Sequence, residues 1–495
     1  MGTAQSSSAA VPTDSTNLRN AVSLAAIRKH QEELQKIADA NSGTRASGTP
    51  GYDASADYVA NVLQAAGYAV TRQPFQFPFF EELVPSQFHQ IAPNEIEYGE
   101  DDFAIMEYSG SGDVTAGVAA AGAIVIPPGP VASTSASGCV PADFNGFPAG
   151  AVALVQRGTC TFAEKATNAE AAGAKAVIIF NEGQPGRQEV LNGTLGGPDV
   201  EIPVIGTSFA VGAVLAALAR TEAGVTVRVV TSTRSELRST SNVIADTRSG
   251  RTDRVVVVGA HLDSVPGGPG INDNGSGSAA LLEIAVQMAN LTPRNRVRFA
   301  FWGAEESGLL GAEFYVAELN KRQIQDIALN LNFDMLGSPN FVRYVYDGDG
   351  SDTPDAGPNG SSVIEDVFLR YFAARGLATE ATAFDGRSDY GPFIAAGIPA
   401  GGLFSGAEEI KTETQARIFG GTAGEALDPC YHLACDTFTN NNDTILDQFA
   451  DAAADAVLQF AMTTSAVKGT SKANDRAVKS VPLASLAHRG RHLQR

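Results

Sequence analysis

The sequence predicts an α/β protein, with a sheet flanked by helices and a smaller strand-rich segment set into it. Three observations predict this. From about residue 239 to 465, apolar strand candidates alternate with helix candidates, the order that buries a sheet between helices. Residues 20–95 read helix, helix, strand, a layer that needs the rest of a sheet beside it. Residues 96–238 change in texture to short strands and glycine-rich turns around one helix. At 495 residues the chain is long enough for two or three cored domains. Charged residues at 18% and apolar ones at 44% are globular rather than disordered proportions.

In chain order, Leu24, Ile27, Leu34 and Ile37 keep helical spacing across Val22 to Asp39. A second helix is expected from Ala54 to Ala66, then a strand from Tyr68. Ala121-Gly-Ala-Ile-Val-Ile and Ala151-Val-Ala-Leu-Val-Gln-Arg read as buried strands, Thr161 to Ala172 as a helix, and Ala174 to Phe180 as an apolar strand. Beyond 239 the expected strands are Arg254–Ala260, Arg296–Trp302, Ile327–Phe333 and Ile398–Phe404. The helices between and after them are Ser278–Ala289, Glu306–Leu319, Ser362–Arg375 and Leu446–Met462. Ser276 or Ser278 is placed to cap the first of these helices.

Charge and cysteine usage narrow the function. A net charge of −20 opposes nucleic acid and anionic membrane surfaces. No stretch approaches the roughly 20 apolar residues of a bilayer span. The last thirty residues, from Ala466, hold seven Lys/Arg against one Asp, and this 466–495 tail is expected to be disordered and solvated. Cys139 with Cys160 and Cys430 with Cys435 form two local pairs. They predict disulfides and an oxidising, extracellular setting, with four buried thiols as the alternative. Neither pair has the CxxC spacing of a zinc finger. The opening residues lack an apolar leader core, so secretion is expected by way of a leader outside this sequence.

Five segments carry chemistry. Val255-Val-Val-Val-Gly-Ala-His-Leu-Asp sets His261 and Asp263 at the end of an apolar strand, where α/β proteins place sites. Alone, a structural histidine explains it equally. Gly270-Ile-Asn-Asp-Asn-Gly-Ser-Gly-Ser carries Asp273, either a turn aspartate or a carboxylate offering one oxygen to each of two cations. Phe299-Ala-Phe-Trp-Gly-Ala-Glu-Glu puts Glu305 and Glu306 after another apolar strand. The pair suits a metal ligand beside a general base, or a solvated acidic turn. Asp334 ends the apolar run Leu329-Asn-Leu-Asn-Phe, where an unpaired charge is costly. Pro429-Cys-Tyr-His-Leu-Ala-Cys-Asp places His432 beside Tyr431 within the second cysteine pair. Each has a bland explanation, but together they supply two His, three carboxylate ligands and one spare Glu.

At Ala260-His-Leu-Asp-Ser-Val, Gly270-Ile-Asn-Asp-Asn-Gly-Ser-Gly-Ser, Trp302-Gly-Ala-Glu-Glu, Asn332-Phe-Asp-Met, Gly386-Arg-Ser-Asp-Tyr-Gly-Pro-Phe and Cys430-Tyr-His, the chain resembles the di-zinc aminopeptidases. That family includes secreted bacterial leucyl aminopeptidases and aminopeptidase Y. Between its two segments, 20–95 and 239–465, residues 96–238 resemble a protease-associated domain, through Arg157-Gly-Thr-Cys-Thr-Phe, Ala171-Ala-Gly-Ala-Lys-Ala-Val-Ile-Ile-Phe-Asn and Ile202-Pro-Val-Ile-Gly.

The resemblance implies a three-layer sandwich with a mostly parallel central sheet, plus a smaller β-rich α+β insert. It implies two zinc ions per chain, one held by His261 and Asp334, the other by Glu306 and His432, with Asp273 bridging. Glu305 would be the general base, Asp263 would orient His261, and Tyr431 and Arg387 would meet the substrate. Peptide or protein N-termini would be the substrates, large apolar first residues among them, and the chain would act as a monomer. Some members hold calcium through acids such as Asp447 and Asp451, but Ala21 stands where a further acid is expected, leaving that set incomplete. Two other functions compete: a metallocarboxypeptidase on the same scaffold, with Arg387 taking the terminal carboxylate, and a non-catalytic receptor-like binder.

Overall fold

Alternation along one strand determines the layers. In Arg251–His261, Val256, Val258 and Ala260 face one way and Val255 and Val257 the other, as the two-residue period of a strand requires. Both sides are buried, so both must be covered by helices. The first set packs in a large core with residues of the helices Leu24–Ala40, Pro50–Ala65, Gly275–Met288 and Asp443–Met462. The second meets Tyr315 and Val316 of the helix Leu310–Ala317 and Phe393 of Tyr390–Ala395. Trp302, fully buried, packs its ring 5.2 Å from that of Tyr315 and 6.0 Å from that of Phe393. Helix, sheet and helix form the three layers that the family resemblance implies.

The computed structural model describes residues 13–468; the basic segment beyond Lys468 lies outside the described residues. The chain divides into two compact units, one ending at Phe75 and resuming at Ser239, the other running Gln76–Arg238. Both boundaries fall inside long strands, Ala69–Ala92 and Thr226–Asp246.

In the first unit, Arg251–His261 pairs in parallel with Asn295–Trp302 on one side and Ile327–Phe333 on the other, and the latter pairs in parallel with Ala400–Phe404. Antiparallel pairs flank this centre, between Asn295–Trp302 and residues 243–246 and between Tyr344–Tyr346 and Ala400–Phe404. The second unit has its own parallel run through Gly112–Ala120, Val152–Gln156, Ala176–Phe180 and Val204–Thr207. Phe162–Ala171 and Phe209–Leu218 are its helices, and its two apolar clusters are separate from those above.

Three local expectations are corrected. Ala121–Ile126 is not a strand. Its backbone is held from outside a ladder: Gly122 N–H donates to the Asp143 carbonyl, and Val125 N–H to the Gln156 side chain. The strand there is the preceding Gly112–Ala120. The helix expected from Glu306 begins only at Leu310. Left-handed backbone at Ala304, Gly308 and Leu309 breaks the helical path before it. Finally, Asn274, not a serine, caps Gly275–Met288 by accepting from Gly277 N–H. Ser278 instead donates to the His261 carbonyl and Ser276 to that of Asn272.

Candidate metal centre

Three adjacent parallel strands end on the same edge, and each delivers acid or imidazole there. Ile327–Phe333 leads into Asp334, Arg251–His261 ends on His261, and Asn295–Trp302 is followed by the turn holding Glu305 and Glu306. His261 lies opposite Trp302 in register, so the second and third sites are neighbours by construction. Carboxyl ends of parallel strands are where such sheets place ligand sites.

Asp273 comes from the loop before the Gly275 helix, and that loop is tied down from several directions. Asp436 accepts both the Asn272 and the Asp273 N–H at 2.9 Å. Asn274 donates to the Phe333 carbonyl and accepts from Met335 N–H, fixing this loop to the strand end beside Asp334. Fully buried Arg45 donates to the carbonyls of Leu262, Pro269 and Gly270. His432 lies in the short loop closed by the Cys430–Cys435 disulfide and adopts φ 57°. Both expected disulfides are present.

The five proposed ligands converge. His261 Nε2 lies 3.1 Å from Asp334 Oδ1 and 3.3 Å from Asp273 Oδ1. His432 Nε2 lies 3.0 Å from Glu306 Oε2 and 3.2 Å from Asp273 Oδ2. The two oxygens of Asp273 thus face different imidazoles. Three overlapping three-donor sets have their ligand atoms within 4.8 Å of one another: His261–Asp273–Asp334, Asp273–Glu306–His432 and His261–Glu305–Glu306. Imidazole nitrogen and carboxylate oxygen are donors that zinc accepts, so the residues fit that ion.

The side chains alone leave the cluster short of positive charge. Burial, reinforced by neighbouring carboxylates, pushes Glu305 and Glu306 above the usual carboxylate range. Burial opposes charge on the imidazoles, yet the surrounding acids outweigh it, raising His261 well above its ordinary value and His432 to about 11. Asp273 is also opposed by burial, but its bonds to both histidines hold it low. A divalent cation held by these donors would supply positive charge that the side chains lack.

Four further residues complete the site. Glu305 Oε2 is 3.9 Å from His261 Nε2, farther than either Asp273 or Asp334, so it flanks the donors. His261 Nδ1 faces the Asp263 backbone carbonyl at 3.2 Å and its carboxylate at 3.7 Å, while that carboxylate accepts from Glu305 N–H. Tyr431 stacks on His432 with ring centroids 3.8 Å apart. Its hydroxyl accepts from Arg387, whose guanidinium also pairs with Glu408 at 2.9 Å. The ligands, Glu305, Tyr431 and Arg387 border a cleft whose other walls include Met335, Tyr346, Phe404 and Ala407.

Sequence reasoning passed over Ser388, which donates to Asp334 Oδ2 and accepts from Asn332, although it lies within a string quoted for the resemblance. Asp436 directly follows the second cysteine pair and was likewise legible as part of that motif. Arg45 offers no local signal, because the carbonyls it serves lie more than 200 positions away. At the calcium acids, Arg19 stands 3.6 Å from Asp451, and Tyr371 donates to the same oxygen.

Fold and site define an α/β protein with a cluster of imidazoles and carboxylates, a candidate metal centre, at the carboxyl edge of its sheet. Residues 242–457 match Peptidase family M28, and residues 114–215 match the PA domain. An aminopeptidase of Pseudomonas aeruginosa is 45% identical over 472 residues, covering 94% of this chain and 87% of that protein. Leucine aminopeptidase 2 of Trichophyton equinum is 39% identical over 466 residues, covering 93% and 89%. Among solved structures, a zinc aminopeptidase from Bacillus subtilis superposes with a TM-score of 0.57 at 26% identity, over 88% of this chain and 94% of that one. The chain belongs to Peptidase family M28, with a PA domain inserted in its peptidase fold.

Replacing Arg45 by Met leaves the buried Leu262 and Pro269 carbonyls without their donor and the Gly270 carbonyl with the Gly275 N–H alone. The expected cost is about 3 kcal/mol or more in stability, with weakened metal retention. Thermal unfolding and zinc content after dialysis check this. A variant with unchanged melting temperature and unchanged zinc would contradict the role given to Arg45.

Proposed function

We propose that the protein is a secreted, monomeric aminopeptidase that uses two zinc ions to release N-terminal residues, large apolar ones among them, from peptides. His261 and Asp334 would hold one ion and Glu306 and His432 the other, with Asp273, whose two oxygens face the two imidazoles, available to both. Bound there, zinc would supply Lewis acidity and lower the pKa of a water at the site. Glu305 accepts the proton of the attacking water and returns it to the departing amine. Asp263 steadies this arrangement from behind, with its backbone toward His261 and its carboxylate on Glu305 N–H. The Tyr431 hydroxyl accepts from Arg387 and so keeps its own proton to donate toward the carbonyl oxygen under attack, a contact worth about 3 kcal/mol at such sites.

The observation that carries the choice of chain end is the charge of the cleft. Asp385 and Glu409 line it in addition to the acids of the metal sets, whereas its one guanidinium, Arg387, is already paired with Glu408. That balance favours a substrate ammonium over a terminal carboxylate, and so an aminopeptidase over a metallocarboxypeptidase. Apolar walls at Met335, Tyr346 and Phe404 support large apolar first residues. The complete donor set and the flanking Glu305 argue against a receptor-like binder. Two disulfides fit an oxidising compartment, and among the described residues no helix is long and apolar enough to cross a membrane. Calcium has no place in this reading, since Arg19 meets the charge of Asp451.

Hydrolysis of leucine p-nitroanilide and of an N-acetylated dipeptide separates the alternatives. The free amine substrate is expected to be cleaved and the blocked one spared; cleavage of the blocked peptide alone would overturn the proposal. Glu305→Gln is expected to lower kcat by at least about 100-fold while keeping both zinc ions, because an amide cannot accept the proton. Loss of zinc in that variant would make Glu305 a ligand instead.

A further inference from the structure

Arg387 is the cleft's one guanidinium, and its partners define what it can do. Its Nη1 lies 2.9 Å from Glu408 Oε1, while its Nη2 donates to Glu408 Oε2 at 3.1 Å and to the Tyr431 hydroxyl at 3.2 Å. Two bonds to one carboxylate make a forked pair, the geometry in which a guanidinium is most fully neutralised. Partial burial opposes the Glu408 charge, yet the bond from Arg387 outweighs it and keeps the carboxyl below its ordinary value.

The other nearby acids are otherwise engaged. Glu409 Oε2 accepts from Ala407 N–H at 2.8 Å, and Asp385 Oδ1 accepts from the Arg387 backbone N–H and the Tyr390 hydroxyl. Glu408 is therefore the carboxylate that decides whether Arg387 presents a free positive charge to the cleft. A dipeptide places its own carboxylate only three bonds beyond the carbon under attack. In the proposed function Tyr431 donates to that carbon's oxygen; with Arg387 bonded to Tyr431, a free guanidinium would then lie within reach of such a carboxylate.

We infer that Glu408 is a specificity-determining residue: by occupying the Arg387 guanidinium it denies the cleft a carboxylate subsite and favours longer peptides over dipeptides. It also keeps Arg387 turned toward Tyr431. This rests on the aminopeptidase reading for its substrates, but the charge lock itself is a property of binding.

The test uses the zinc-loaded full chain and Glu408→Gln, which keeps an acceptor for Arg387 and removes the charge. The readout is the ratio of kcat/KM for Leu-Leu with a free carboxylate to that for Leu-Leu-amide, a ratio that general damage to the fold does not move. It is expected to rise about tenfold in Glu408→Gln, to rise likewise in Glu408→Ala, and to return to its starting value when Arg387→Met is added. An unchanged ratio in both single variants would overturn the inference, as would a rise that survives removal of Arg387. In parallel, calorimetry with N-acetyl-leucine and N-acetyl-leucinamide reads the same selectivity without turnover. Tighter binding of the acid alone by Glu408→Gln supports the lock even if neither dipeptide is cleaved by the unaltered protein, a result that would sink the aminopeptidase reading only. Equal affinities in variant and parent would sink the lock.

Discussion

The Asp273 carboxylate faces two imidazoles at once, and contacts from distant parts of the first unit fix the loop that carries it. One oxygen lies beside His261 and the other beside His432, residues separated by most of the peptidase sequence. Such a carboxylate cannot simply be buried among other acids, because uncompensated charge is expensive away from water. The surrounding protein therefore fixes the backbone on which Asp273 sits: Asp436 receives its N–H, Asn274 links it to the Asp334 strand, and Arg45 gathers the preceding carbonyls. In the proposed function, cations in the two flanking sets neutralise what the side chains leave in excess.

The fold supplies this arrangement cheaply in sequence terms. Three parallel strands need only end together for Asp334, His261 and the Glu305–Glu306 turn to share an edge. Their apolar faces do this by burying both sides of the sheet under helices. The remaining donors arrive on loops, one leading into the Gly275 helix and one closed by Cys430–Cys435. Left-handed backbone at Ala304, Met335 and His432 marks where chain turns sharply around the cluster, and such conformations concentrate where a site demands them.

What could be read in the sequence follows from this division. Strand-end residues were legible because a continuous apolar run announces its own end: His261, Glu305, Glu306 and Asp334 all follow one. Asp273 and His432 were legible only through their motifs, since neither lies on a periodic element. Helix and strand ends were misplaced where local geometry ruled, as at Leu309, whose left-handed backbone delays a helix that composition begins at Glu306, and at Ala121–Ile126, where loop partners replace a ladder. Arg45 and Glu408 stayed hidden for a different reason. A buried cation serving distant carbonyls, or an acid neutralising a guanidinium 21 positions away, leaves no trace in spacing or composition.

The central claim, two cations gathered around one shared carboxylate, is tested most directly by X-ray diffraction from zinc-loaded crystals at the zinc absorption edge. The account predicts two anomalous peaks, one on each side of Asp273, the first bounded by His261 and Asp334 and the second by Glu306 and His432. Strong peaks elsewhere, or a single peak that leaves one of the two imidazoles without metal at saturating zinc, would contradict it.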